Sequence, residues 1–212
     1  MKPYWIKTHW FIKKLFPNFV WNMPCESKKV YLTFDDGPIP EATGFVLDLL
    51  GRYNAKATFF CIGDNIRKNP DIFKRILADG HSFGNHTFNH LNGWNTPEAE
   101  YLENVKLCQH QFDTITSDTS KLMRPPYAKV TLSQSKKLRK MGYKIIMWDV
   151  LSADFDQTIT PEECLKNVLD NIGPGSIVIF HDSQKAFENM SFALPKTLKY
   201  LKDNGFECAA LN

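Results

Sequence analysis

Two kinds of segment alternate along the chain. Short runs rich in β-branched and aromatic residues, such as Val30–Phe34, have the content of buried strands. Segments with apolar residues three or four positions apart lie between them and predict amphipathic helices. The predicted strands are Val30–Phe34, Ala57–Ile62, His81–Asn85, Lys121–Arg124, Tyr143–Val150, Ser176–Phe180 and Phe206–Ala210. The predicted helices are Pro40–Tyr53, Pro70–Ala78, Thr96–Thr114, Thr131–Met141, Thr160–Asn171 and Phe192–Asp203.

This alternation predicts an α/β fold with a parallel sheet, either an open doubly wound sheet or a closed barrel. The length of 212 residues suits one domain with a sizeable core. The strands and helices lie within residues 28–212. Residues 1–27 precede them as an extension rich in aromatic and basic residues.

Composition narrows the class of protein. Hydrophobic residues make up 43% and charged residues 23%, which is ordinary for a soluble globular domain. A net charge of +3, without a basic stripe, argues against a nucleic-acid partner. The five cysteines are scattered and odd in number, so we expect no disulfide framework and a reducing compartment.

The extension 1–27 has two interpretations. Lys13-Lys14 and Pro17-Asn18 interrupt every apolar run, so no clear signal peptide is present. We therefore favour a cytoplasmic or membrane-peripheral location over secretion. Aromatic residues among lysines suit packing on the domain, which we favour, with peripheral membrane contact as the secondary alternative.

Unusual polar residues follow the predicted strands at their carboxyl ends. In order along the chain they are Asp35, Asp36, His86, His90, Arg124, Asp154, His181 and Asp182. In a parallel barrel these strand ends converge on one face, where active sites are built. Asp35 and Asp36 alone could be explained as acids that solvate a turn. Because the other polar residues also lie at the carboxyl ends of strands, we interpret the whole set as an active site.

The residue types fit a metal centre. His86 and His90 are four positions apart and lie on one face if their turn is helical. Two imidazoles and one carboxylate make a three-ligand site with room for water and substrate, as in catalytic zinc centres. A second adjacent carboxylate can then act as a general base.

The remaining polar residues complete a set for amide hydrolysis. Arg124 can keep the base carboxylate ionised through a charge-assisted hydrogen bond. His181 can protonate a leaving amine, and Asp154 can orient that imidazole and raise its pKa. The rigid turn at Pro125-Pro126 can present the Tyr127 backbone N–H to an oxyanion.

Four motifs carry a resemblance to a known family. They are TFDDGP at Thr33–Pro38, HTFNH at His86–His90, RPPYA at Arg124–Ala128 and IFHD at Ile179–Asp182. From about Lys28 to the C-terminus, the chain resembles the polysaccharide deacetylases with a NodB homology domain, carbohydrate esterase family 4. The resemblance implies a single-domain distorted (β/α)7 barrel at residues 28–212 and metal-dependent removal of N-acetyl groups from N-acetylglucosamine glycans.

The resemblance also implies roles, position by position. Asp35 resembles the base, Arg124 the residue that orients it, and His181 the acid. Asp36, His86 and His90 resemble the metal ligands. The Tyr127 N–H resembles the oxyanion donor, Asp154 the residue that tunes the acid, and Phe155 and Ile179 the lining for the acetyl methyl group. A further motif of the family, Asp-x-x-Asp-Trp, is altered here at Leu151–Phe155, with Leu151 in place of the first Asp and Phe155 in place of the Trp. Phe155 and Ile179, which stands where the family usually has a leucine, keep the groove lining apolar, so we expect activity to survive and the identity of the substrate to be affected.

Three functions compete. The first is a deacetylase of peptidoglycan or chitin-like oligosaccharides, and the second a deformylase or deacylase of a lipid-linked amino sugar at the cytoplasmic membrane face. The third is a non-haem iron oxygenase, which shares the ligand set of two histidines and one carboxylate. We expect one divalent metal ion, zinc before cobalt, manganese, nickel or iron, a carbohydrate substrate and a monomer.

Overall fold

The computed structural model of the protein describes residues 4–24 and 26–212. Residues 1–3 and Cys25, which belong to the extension 1–27, lie outside the described residues. The strands are β1 (Lys29–Asp35), β2 (Ala57–Cys61), β3 (Ser82–Asn85), β4 (Leu122–Met123), β5 (Lys144–Ile145), β6 (Val150–Leu151), β7 (Ile177–His181) and β8 (Glu207–Cys208). The helices are α1 (Trp10–Leu15), α2 (Pro40–Tyr53), α3 (Gly63–Lys68), α4 (Pro70–Ala78), α5 (Glu98–Asp113), α6 (Leu132–Lys140), α7 (Pro161–Leu169) and α8 (Phe187–Asp203), with a 3-10 turn at Pro126–Ala128.

The sheet is parallel and curls into a distorted barrel, which confirms the predicted fold class. Its strand order is β5-β4-β3-β2-β1-β7-β6, and β8 pairs with the start of β1. The two outer strands, β5 and β6, are consecutive in the chain. The segment that joins them therefore runs from one edge of the sheet to the other.

The core surrounds the central strands β1, β2 and β7. Leu32 and Phe34 of β1 are fully buried. The Phe34 ring stacks on Phe59 of β2 at 5.2 Å and on Phe180 of β7 at 6.1 Å between ring centroids. Aromatic stacking of this kind adds to the hydrophobic gain of burial. These contacts fix β1 and β7, whose ends carry Asp35, Asp36 and His181.

The prediction of one strand over Tyr143–Val150 is wrong. The segment forms two short strands, β5 and β6, which pair with β4 and β7 respectively. The buried Arg124 side chain lies at the gap between them. Its guanidinium donates to the carbonyl oxygens of Ile146 and Met147, at 3.3 and 2.9 Å, so these oxygens are bonded to a side chain instead of a neighbouring strand.

One helix prediction needs correction, and two short helices were missed. Helix α8 begins at Phe187, not at Phe192, because Phe187 packs edge-on against Phe45 and Met190 is fully buried. The short helices α1 and α3 were not predicted. The apolar pattern that predicts a helix needs more turns than these six-residue elements contain.

Residues 4–24 pack against the gap between β5 and β6. Val20 donates from its N–H to Ile145 O at 2.9 Å and accepts from the N–H of Met147 at 2.7 Å. Lys7 forms an antiparallel bridge with Val150, and Met23 N–H donates to Gly175 O at 2.8 Å. The segment thus packs along the side of the barrel, as the favoured interpretation predicted, although Trp5 and Trp10 remain more than half exposed. None of the helices in residues 4–24 and 26–212 is long and apolar enough to cross a bilayer.

Candidate active site

The carboxyl ends of the strands bring the predicted site residues to one face of the barrel. Asp35 is the last residue of β1 and His181 the last of β7, and the two are register partners in the sheet. His86 directly follows β3, and Arg124 directly follows β4. Parallel strand order therefore places residues next to one another that are far apart in the sequence, as the pattern of strand ends predicted.

Asp36, His86 and His90 form a compact group of possible metal ligands. Asp36 Oδ1 lies 3.2 Å from His90 Nε2 and 3.6 Å from His86 Nε2. One ligand atom from each residue lies within 4.8 Å of the other two. The turn that joins the two histidines is not helical, because Thr87 and His90 have φ values of 62° and 55°. The helical turn that the four-residue spacing suggested is therefore absent, and a non-helical turn brings His86 and His90 together.

The chemistry of these three residues fits a divalent cation. Among the described residues, Asp36 Oδ1 is a buried oxygen with no hydrogen-bond partner. His86 Nδ1 lies 2.7 Å from the Arg124 carbonyl oxygen, so that nitrogen carries the proton and Nε2 keeps its lone pair. Burial lowers the pKa of His86 to about 4, which favours the neutral imidazole that a metal requires. Two nitrogens and one carboxylate oxygen are a ligand set typical of catalytic zinc.

Local charges keep Asp36 ionised. Burial opposes the ionisation of this carboxyl group, but its interaction with the His90 imidazole and the positive charge of His181 outweigh burial and lower the pKa of Asp36. The Asp36 backbone adopts a positive φ of 85°. Its carbonyl oxygen accepts a hydrogen bond from Asn65 Nδ2 at 2.6 Å, which fixes this unusual conformation.

A buried carboxylate, Asp182, supports the turn after Asp36. It accepts hydrogen bonds from Gly37 N–H at 3.0 Å and from Thr43 Oγ1 at 2.5 Å. A Cβ atom on Gly37 would lie 2.0 Å from Asp182 Oδ2, so only glycine allows this approach. Burial raises the pKa of Asp182 to about 7, against the two hydrogen bonds. The sequence analysis assigned Asp182 no role.

Asp35 is paired with Arg124. The carboxylate is 3% exposed and Arg124 is fully buried. Arg124 Nη1 donates to Asp35 Oδ1 and to Thr33 Oγ1, each at 2.7 Å. The guanidinium also lies 4.2 Å from the centre of the Phe60 ring. With the two carbonyl contacts described above, Arg124 is fixed on several sides, and it holds Asp35 in one orientation beside the ligand group.

His181 is paired with Asp154. The imidazole Nδ1 and the Asp154 Oδ1 are 2.7 Å apart, and the His181 backbone N–H donates to the other carboxylate oxygen at 2.7 Å. Burial disfavours the imidazolium, but the charge and hydrogen bond of the fully buried Asp154 outweigh it and raise the pKa of His181 to about 9. His181 is therefore protonated at neutral pH and can act as an acid.

Asp35, His181 and the three residues of the ligand group line one groove of about 570 Å³. Arg124 and Asp154, which pair with Asp35 and His181, are fully buried and do not line it. Tyr127, Leu151, Phe155 and Ile179 also line this groove. The Tyr127 backbone has a φ of 58°, and its hydroxyl lies 3.1 Å from His90 Nδ1. The sequence analysis missed five further lining residues: Tyr4, Lys129, Trp148, Ser183 and Lys185. Tyr4 belongs to the aromatic extension, but none of the five lies in a motif.

The chain was compared with known proteins. It matches the family described as polysaccharide deacetylase over residues 22–146. Two peptidoglycan-N-acetylglucosamine deacetylases of Bacillus cereus are 35% and 37% identical to it, each over 88% of this chain, and the matches cover 68% and 87% of those proteins. The crystal structure of the Bc1960 peptidoglycan N-acetylglucosamine deacetylase, in complex with a substituted benzamide, superposes with a TM-score of 0.88. It is 32% identical, and the match covers 96% of this chain and 95% of that one.

Proposed function

Because this chain belongs to the polysaccharide deacetylase family, we propose that it hydrolyses N-acetyl groups of N-acetylglucosamine residues in peptidoglycan. The observation that carries the proposal is one groove that holds a three-residue ligand group together with a base paired to Arg124 and an acid paired to Asp154. The similar proteins reported above act on peptidoglycan N-acetylglucosamine, which favours this substrate over other glycans.

Each residue has a defined part in the proposed reaction. Asp35 takes a proton from the water that attacks the acetyl carbonyl carbon. The Tyr127 backbone N–H donates to the oxyanion that develops on the carbonyl oxygen. His181 gives its proton to the sugar nitrogen as the C–N bond breaks, so that acetate and a free amine are released. A zinc ion held by Asp36, His86 and His90 would supply Lewis-acid polarisation.

The two other functions are less well supported. Removal of a formyl group would use the same residues, but the relatives reported above are named as deacetylases. An iron oxygenase would share the ligand set, yet its chemistry gives no reason for the Arg124–Asp35 and Asp154–His181 pairs. We therefore place the acetyl hydrolase first.

Mass spectrometry of reaction products tests the proposal. The full-length protein, loaded with zinc, is incubated separately with muropeptides, N-acetyl chitooligosaccharides and N-formyl glucosamine oligosaccharides. We expect muropeptides to lose acetyl groups and release stoichiometric acetate, with slower release of formate. Formate release that exceeded acetate release would favour the deformylase. Product formation that required dioxygen would favour the oxygenase.

We also propose that helix α1 contacts an anionic membrane surface. Trp10, Phe11 and Leu15 of this helix are 68%, 48% and 66% exposed. The Lys14 ammonium lies 4.8 Å from the Trp10 ring centre. Residues 4–24 contain three lysines and no acidic residue. Exposed aromatic side chains flanked by lysines suit a lipid headgroup region that carries negative charge.

Because peptidoglycan lies outside the cytoplasmic membrane, the proposed substrate agrees with a membrane-peripheral location better than with a cytoplasmic one.

Vesicle sedimentation tests the membrane contact. We expect the full-length protein to sediment with phosphatidylglycerol vesicles, less so at high salt, and not with phosphatidylcholine vesicles. A Trp10→Ser/Phe11→Ser/Leu15→Ser variant should lose most of this binding. Leu132→Ser, which removes a side chain that is 73% exposed on α6, is the matched control and should bind normally. Equal sedimentation of both variants would contradict the proposal. Self-association without vesicle binding would instead assign this face to a second copy of the chain.

A further inference from the structure

One wall of the groove comes from the N-terminal segment. Tyr4 lines the groove together with Phe155 and His181, although it lies outside every motif. The backbone next to Tyr4 is fixed on the barrel, because Leu151 N–H donates to Ile6 O at 2.8 Å and Thr8 N–H donates to Asp149 O at 2.9 Å. Lys7 and Lys13 each contact the Asp149 carboxylate at 2.6 Å. Tyr4 is therefore held in place by pairing that does not depend on substrate.

The Tyr4 side chain is also fixed at both ends. Its ring meets Phe155 edge-on, with ring centroids 5.6 Å apart and an interplanar angle of 72°. Phe155 in turn meets the His181 imidazole at 5.1 Å. The Tyr4 hydroxyl donates a hydrogen bond to Asp156. Burial, with the charge and hydrogen bond of Asp156, raises the pKa of Tyr4, so that the hydroxyl remains a neutral donor.

We propose that Tyr4 is a specificity-determining residue that contacts the sugar ring bearing the N-acyl group, as a wall of the groove on the side of the acid His181. This inference rests on the proposed function. An amphipathic aromatic ring suits a pyranose, whose C–H groups pack on the ring while its hydroxyls remain solvated. Since Tyr4 is oriented before substrate arrives, little side-chain entropy is lost on binding.

If Tyr4 contacts the sugar ring, its replacement should weaken glycan binding without slowing cleavage of the acyl group. The full-length wild-type, Tyr4→Phe and Tyr4→Ala proteins are assayed with N-acetyl chitotetraose and with 4-nitrophenyl acetate, which has the same acyl group but no sugar. We expect Tyr4→Ala to raise KM for the tetrasaccharide about tenfold with a smaller change in kcat. We expect kcat/KM for the ester to stay within about twofold. Tyr4→Phe, which keeps the ring, should show a smaller KM increase.

Controls distinguish this role from a structural one. Trp5→Ala removes the neighbouring side chain, which is 53% exposed and does not line the groove, and should leave both substrates unaffected. Equal losses on tetrasaccharide and ester, or an unchanged tetrasaccharide KM, would overturn the inference. If Tyr4→Ala does not fold, Tyr4→Leu takes its place, and the same increase in KM for the tetrasaccharide is expected because the aromatic ring is lost. A wild-type protein that cleaves the ester but no acetylated sugar would refute the proposed function instead.

Discussion

Replacing His86 and His90 together by alanine is expected to abolish stoichiometric metal binding and nearly all activity. The variant leaves Asp36 as the last member of the ligand group. One carboxylate does not hold a catalytic divalent ion that normally has three protein ligands. Because Lewis-acid stabilisation is worth several kcal/mol, we expect kcat/KM to fall on the order of a thousandfold or more. Elemental analysis of the purified protein, with acetate release in parallel, measures both effects.

Two further variants test whether the loss of metal is specific to the replacement of His86 and His90. Asp35→Asn should retain the metal but lose about a hundredfold to ten-thousandfold in activity, because only the base is removed. His110→Ala removes an exposed histidine on α5 and should change neither property. Stoichiometric metal in the double variant would contradict the ligand assignment. Loss of metal in Asp35→Asn would show that Asp35 is a ligand itself.

Most of the site could be predicted because its residues lie at strand ends, which the local sequence marks. The run Val30–Phe34 followed by two acids indicates a strand and its end, and His181 stands in the same position after the predicted strand Ser176–Phe180. Parallel pairing then makes these ends neighbours without further information. The positions of the strands alone, without any side-chain contact, are enough to predict which residues become neighbours.

Other residues could not be predicted because their roles depend on contacts between distant parts of the chain. Tyr4 reaches the groove only because residues 6–8 pair with residues 149–151. Asp182 matters through its hydrogen bond to Gly37, which is 145 positions away. The division of Tyr143–Val150 into two strands likewise follows from a side chain, Arg124, that takes the carbonyl groups a strand would use. No local pattern encodes these contacts.

Replacing His181 by alanine is expected to lower kcat/KM most for those substrates whose leaving group must be protonated. For an N-acetyl sugar the leaving amine must be protonated, so we expect kcat/KM to fall about a hundredfold to ten-thousandfold. For 4-nitrophenyl acetate the leaving phenolate is stable without a proton, and the loss should stay below about tenfold. Equal losses on the two substrates would argue against His181 as the acid.

The role of His181 as the acid can also be tested by replacing Asp154 and measuring how kcat/KM depends on pH. Asp154 raises the pKa of His181 to about 9, so the acid is fully protonated at neutral pH and is lost as the pH rises through that value. In Asp154→Asn the carboxylate charge is gone while burial remains, and burial lowers the pKa of His181. The alkaline decline of sugar deacetylation should therefore move to lower pH, whereas ester cleavage, which needs no acid, should keep its profile. A sugar profile that did not move would mean that the titration of His181 does not limit the reaction, and that the Asp154–His181 pair serves a structural purpose.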